Sequence, residues 1–97
     1  MISICFGAAA RTEMLEAVDW YNAHAPGIGE QFLAEVDAVV ARISERPLLF
    51  PVVFKGVRRA RLHHFPFSLF FRVEDAGIYV LACFHSNRAP RHWQGRR

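Results

Sequence analysis

The side chains best suited to chemistry lie in the second half of the chain. His85 ends an apolar run, and Arg88 follows three residues later. An imidazole can act as general acid or base because its ordinary pKa, about 6.5, lies close to neutrality. No second catalytic partner is identifiable, so the competing role for His85 is to tie down the elbow after the run by hydrogen bonds. Upstream, Arg58, Arg59 and Arg61 share one expected strand. Alternation sends Arg58 to one face and Arg59 and Arg61 to the other. A strand cannot bury three unpaired guanidiniums, so at least one face there is solvated or meets a ligand. Salt bridges to the acidic first half are the alternative. Trp93 stands between Arg91 and Arg96. Its indole can stack on a base or a peptide side chain, or anchor the tail to the sheet.

Other chemistries find no support. His63 and His64 are neighbours on an expected strand, so their rings point to opposite faces and cannot chelate one metal together. No CxxC or HExxH spacing occurs, and neither a metal nor a cofactor is assigned. Cys5 and Cys83 both fall in expected strands and read as buried small hydrophobes, not as a disulfide.

Charge narrows the partner. Residues 1–46 carry a balance of −4 and residues 47–97 a balance of +7, and eleven of the twelve cationic side chains are arginine. Arginine makes planar, bidentate contacts with phosphate and carboxylate and stacks on aromatic rings. The basic half therefore suits an acidic partner, either nucleic acid or an acidic protein segment. The 97 residues form one domain, 53% apolar and 22% charged, which is a globular composition. No apolar run reaches the roughly 18 residues of a membrane-spanning helix. The start lacks the basic and apolar regions of a signal peptide, so the cytoplasm is the expected location.

The elements that position these groups follow from periodicity. Ile2, Ile4 and Phe6 alternate as a short strand. A helix over about residues 9–24 puts Ala10, Met14, Ala17, Val18 and Tyr21 on one face, with Leu15 and Trp20 flanking it. Pro26-Gly27 breaks it. A second helix, about 27–46, repeats Ile28, Phe32, Val36, Val39, Val40 and Ile43 at steps of three and four, and Pro47 stops it. The short connection makes the pair an antiparallel hairpin. Residues 47–55, with two prolines, read as an apolar segment wrapping the core edge. Strands follow at about 57–63, 66–73 and 77–84, with Gly77 supplying a positive φ in the turn before the last. That last strand is apolar on both faces and is expected inside the sheet. The order β-α-α-β-β-β gives an α+β domain, a helical hairpin packed on a twisted, mainly antiparallel sheet.

The chain resembles the RelE/ParE toxin superfamily, the poison half of bacterial toxin–antitoxin pairs. The pattern is Gly56-Val57-Arg58-Arg59, then Phe65-Pro66-Phe67, Phe71-Arg72-Val73 and His85-x-x-Arg88-x-Pro90-x-x-Trp93. In the first half it is Glu16-Ala17-Val18-Asp19-Trp20-Tyr21, then a second helix opening near Pro26 and carrying Phe32. The likeness covers nearly the whole chain and implies the same fold. It also implies a cognate acidic antitoxin, in complexes that can be oligomeric, and either DNA gyrase or the ribosome and its mRNA as target. Arg58, Arg59, Arg61, Arg88, Arg91 and Trp93 are the binding residues it implies. In a ribonuclease of the superfamily, Arg58, Arg61, His85 and Arg88 would be the catalytic set. The sequence departs from the nuclease pattern: Phe67 and Phe71 stand where many members carry tyrosine, and no tyrosine follows Tyr79. The ParE-like branch, which traps gyrase on cleaved DNA, is therefore the first expectation. A RelE-like mRNA endonuclease is the second, and a folded, antitoxin-binding member without toxicity is the third.

Overall fold

The apolar stripe of the second expected helix becomes the spine of the molecule. The structure is a computed structural model that describes residues 2–96; Met1 and Arg97, at the two ends of the sequence, lie outside the described residues. Helix α1 (Ala8–His24) and helix α2 (Ile28–Glu45) form the expected hairpin. Phe32, Val36, Val39 and Ile43 of α2 are buried, with Ala10 and Ala17 of α1 beside them. Asn22 organises the turn. Its Oδ1 accepts hydrogen bonds from the amides of Gly27 (3.2 Å) and Gly29 (2.8 Å). These are orphan donors at the start of α2, so a side chain from the preceding helix does the work of a cap. Gly29 is needed for close approach, because a Cβ there would lie 2.6 Å from the Val18 carbonyl oxygen.

The hairpin covers one face of a five-stranded sheet. Its strands are β1 (Ile4–Phe6), β2 (Val52–Phe54), β3 (Val57–Arg61), β4 (Phe67–Glu74) and β5 (Gly77–His85), in the order β1-β5-β4-β3-β2. β1 runs parallel to β5 and the other pairs are antiparallel. β5 lies inside the sheet, as its two apolar faces imply. Gly77 has φ 141° and opens β5 directly against the Ser3 carbonyl. Between Phe70 and Phe71 the β4–β5 register shifts, so Leu81 is an extra residue on β5. No described helix is long and apolar enough to cross a membrane.

Four expectations need correction. Residues 47–55 are not an irregular wrap: Pro47–Leu49 form a 3₁₀ turn and Val52–Phe54 form edge strand β2. Proline excludes a central strand but tolerates an edge, and Pro51 sits just before β2. His63 and His64 are not on a strand, since β3 ends at Arg61 and they form the turn into β4. Cys5 is exposed and Cys83 buried, because β1 is an edge strand of three residues; both thiols are free. A short helix, α3 (Arg91–Gln94), follows β5 and was not expected.

The His63–His64 turn is held by Glu35 of α2. Its carboxylate accepts from the amides of His63 and His64 and lies 2.8 Å from His64 Nδ1. Burial pushes the Glu35 carboxyl up, but the hydrogen bonds from His64 and His63 outweigh it, and the group titrates below its ordinary 4.5. A depressed carboxyl contributes stability above its unfolded pKa and loses it as pH falls through the folded one. Urea unfolding between pH 3 and 7 should therefore show Glu35→Gln less stable than wild type above about pH 5. The gap should close as the medium is acidified. A gap that does not change with pH would mean the carboxylate's charge contributes nothing.

Candidate functional site

The helices leave the other face of the sheet open, and the basic residues divide between the two faces. Arg58 points to the helix side. Its Nη1 donates to the carbonyls of Phe50 (2.6 Å) and Leu48 (3.3 Å), and so closes the 3₁₀ turn against β3. The structure thus places Arg58 on the helix face, tied through Nη1 to backbone carbonyls and apart from Arg59, Arg61 and Arg88. Arg59 and Arg61 project from the open face, as alternation requires. The open face also carries Ser68, Phe70 and Phe84, and α3 folds Trp93 onto it. The Trp93 indole stacks on Phe70 with centroids 4.2 Å apart and is 3% exposed. Of the two roles open to Trp93 from the sequence, the structure shows the anchoring one, because Phe70 already covers the ring. Arg91, the first residue of α3, is exposed and does not line the hollow between α3 and the sheet.

Between α3, the elbow and the sheet lies a hollow of about 290 Å³, lined among others by Arg59, Arg61, Ser68, His85, Ser86 and Arg88. No carboxylate lines it among the described residues. Arg59 Nε is buried and has no hydrogen-bond partner among the described residues. Leaving such a donor unpaired typically costs about 1–3 kcal/mol, more for a charged group. Arg61 is exposed, and it pairs in register with Ser68 of β4. Arg88 lies over the Phe84 ring, 4.8 Å from its centroid. The expected salt bridges to the acidic half do not form at these arginines among the described residues.

His85 is committed to the elbow. Its Nδ1 accepts the Asn87 amide at 3.0 Å, and its ring meets Phe67 edge-on at 5.1 Å. An Nδ1 that accepts places the proton of the neutral ring on Nε2. In this tautomer neither nitrogen has a free lone pair to remove a proton.

Two features of the site escaped sequence reasoning. The first is a hollow of about 400 Å³ on the other side of the elbow, walled by Ala17, Trp20, Tyr21, Pro66 and Phe67. It shares His85 and Arg88 with the basic hollow. The half-exposed Trp20, lying off the buried face of α1, was the available signal. The second is a clamp on the tail. Arg96 makes a bidentate pair with Glu13 of α1, at 2.9 and 2.8 Å, and donates to the Leu81 carbonyl at 3.0 Å. Glu13 also accepts the Cys83 amide at 3.1 Å. β1 ends opposite Val80, so Glu13 and Arg96 satisfy backbone groups that β5 would otherwise leave bare. Among the described residues no group of three His, Cys, Asp or Glu is placed to hold a metal ion.

A helical hairpin on one face of a five-stranded sheet, with a basic hollow on the other, defines a toxin domain of the RelE/ParE type. The profile of the family described as "ParE toxin of type II toxin-antitoxin system, parDE" matches residues 4–90, and the chain belongs to that family. It is 33% identical over 79 residues to Toxin ParE2 of Mycobacterium tuberculosis, in strains CDC 1551 / Oshkosh and ATCC 25618 / H37Rv. That match covers 80% of this chain and 75% of the relative. The fold is also similar to a structure described as "Chromosomal ParDE TA system from P. aeruginosa", with a TM-score of 0.66 at 24% identity. There the match covers 88% of this chain and 96% of the other.

Proposed function

We propose that this toxin acts by binding DNA gyrase, with no bond-making chemistry of its own, and that a cognate acidic antitoxin neutralises it in the cytoplasm. The observation that carries the reading is the state of His85. Its Nδ1 accepts the Asn87 amide, which supports a structural tie over a poised base at the basic hollow. Arg59, Arg61 and Arg88 could clamp a phosphate, but a clamp without proton transfer forgoes the roughly 10²–10⁴-fold that acid–base catalysis contributes. The absence of a tyrosine after Tyr79 supports the same reading. The acidic antitoxin is supported by the unpaired guanidiniums of the open face, which an acidic chain folding onto the toxin would neutralise.

Purified toxin should inhibit gyrase supercoiling and leave mRNA intact in a translating extract. A supercoiling gel run beside primer extension reads both. Codon-phased cleavage that disappears in Arg88→Ala, with supercoiling unaffected, would overturn the reading in favour of a ribosome-dependent nuclease. Inactivity in both assays would identify a member that has lost its toxicity.

A further inference from the structure

The most exposed large aliphatic side chains stand together on the rim of the sheet farthest from β1, where the 3₁₀ turn leads into β2. Leu48 and Leu49 are 68% and 73% exposed, and Val52 and Val53 are exposed beside them. Arg58 ties the rim together. Its Nη1 reaches the carbonyls of Leu48 and Phe50, and it faces Val52 in the β2–β3 register. Val53 lines the basic hollow with Arg59 and Arg61. The rim is also cationic. Residues 46–61 hold Arg46, Lys55, Arg58, Arg59 and Arg61 and no Asp or Glu. Among the described residues none of these five forms an ion pair. We infer that this rim docks on an anionic bilayer surface. Leu48, Leu49, Val52 and Val53 enter the headgroup boundary, and Arg46 and Lys55 meet the lipid phosphates.

Charge and shape select this occupant. Exposed aliphatic side chains beside cations are the pattern of shallow, interfacial binding to anionic lipid. The rest of the molecule is charged so as to orient it. Glu16 and Asp19 of α1 and Glu30 and Asp37 of α2 are exposed, and residues 1–46 carry −4 against +7 for the remainder. An anionic surface therefore attracts the rim and repels the helical hairpin. Glu45, which immediately precedes the cationic segment, is the acid at its border. The outer edge of β2 carries no strand. Unpaired backbone groups are not tolerated in hydrocarbon, so insertion stops where water and phosphate oxygens still satisfy them. A second copy of this chain is disfavoured, because it would bring two rims of like charge together. A nucleic acid would satisfy the cations and leave the aliphatic side chains in water. Leu48, Leu49 and Val52 wall neither hollow of the site, so they offer a protein partner no recess for an anchoring side chain. Lipid needs none, since it yields to a protruding edge.

Lipid docking goes beyond the gyrase reading and does not depend on it. The full-length protein is mixed with sucrose-loaded vesicles and sedimented. It should pellet with vesicles of phosphatidylglycerol mixed with phosphatidylcholine and stay in solution with phosphatidylcholine alone. Added salt should release it, because exposed charges are screened. Leu48→Ser combined with Leu49→Ser should weaken the partition about tenfold or more, and so should Arg46→Gln combined with Lys55→Gln. Ala38→Ser, on the exposed face of α2, should bind like wild type. Circular dichroism melts report the fold of each variant. In a Cys5→Ser background, a nitrobenzoxadiazole dye attached to Leu49→Cys should brighten with the mixed vesicles, and the same dye on Ala38→Cys should not. Four results would overturn the docking: no pelleting, equal pelleting with phosphatidylcholine alone, undiminished pelleting of the leucine double variant, or brightening at position 38 in place of 49. A lipid-free dimer that reverts to monomer in the leucine double variant would overturn it in favour of a second copy. Brightening at position 49 with duplex DNA and not with vesicles would overturn it in favour of nucleic acid. Gyrase inhibition without pelleting defeats the docking alone. Pelleting through these residues without any effect on gyrase upholds the docking and defeats only the proposed target.

Discussion

Val36→Asp is expected to leave the chain unfolded at room temperature. Val36 is 2% exposed and sits in the core that joins α2 to the sheet, with Phe32, Val39, Ile43, Leu69 and Phe71. Aspartate there removes apolar contacts and places an ionised group in a site with no partner. An uncompensated buried charge costs about 3–5 kcal/mol by analogy with broken buried pairs, and the lost valine adds about 1–2. A domain of this size has a total stability on the order of 5–15 kcal/mol, and small domains lie toward the lower end. Protonating the carboxyl limits the cost only by substituting a neutral polar group that still lacks a partner. Circular dichroism melts compare the variant with Val36→Ala, which leaves a cavity but no charge and should keep a cooperative, lowered transition. A Val36→Asp melt close to wild type would show that this face of α2 meets solvent.

That result would strike at the part of the fold most legible in the sequence. Six apolar residues at steps of three and four place one face of α2 against something, and no tertiary knowledge is needed to see it. The division of Arg58 from Arg59 and Arg61 was equally plain, because a strand has only two faces. What alternation could not supply was the use of each face. Arg58 lies close to the carbonyls of Leu48 and Phe50 only because residues 47–54 fold back as a turn and an edge strand. Two prolines in that segment masked the strand, since they forbid the middle of a sheet and not its rim. The His63–His64 turn was hidden for a related reason: Glu35, far away in sequence, ends the strand by capturing both amides. The apolar hollow joins α1 to the loop before β4, and no local pattern announces a gap between elements. For Trp93 the sequence leaves a stacking group and an anchor both open, and its burial on Phe70 decides for the anchor.

Glu13→Ala is expected to release the tail and cost about 2–4 kcal/mol, the second largest effect of any single change considered. The carboxylate is 12% exposed and accepts hydrogen bonds from Arg96 Nη1, Arg96 Nη2 and the Cys83 amide. Alanine leaves all three donors without it. Arg96 is 25% exposed, so water replaces part of what it loses, and this keeps the cost below that of a fully buried broken pair. The pairing also explains why the Arg96 guanidinium titrates above its ordinary value: the Glu13 hydrogen bonds raise it more than burial lowers it. Arg96→Ala should cost less by itself, because Glu13 keeps the Cys83 amide. The double variant should then cost clearly less than the two single costs combined. Cys83 supplies a second readout, in which loss of the Glu13 charge and opening of the corner both speed labelling. Burial, aided by the Glu13 charge, pushes its thiol up to about 12, so in the folded protein it should resist alkylation. In a Cys5→Ser background, labelling of Cys83 therefore reports opening of this corner. Glu13→Ala should speed that labelling and shift Trp93 emission to the red, as α3 lifts off Phe70 and one wall of the basic hollow is lost. Faster labelling without the emission change would confine the clamp's role to the edge of β5. Additive costs in the double variant would mean that the two side chains act independently, and that the tail is held by Trp93 alone.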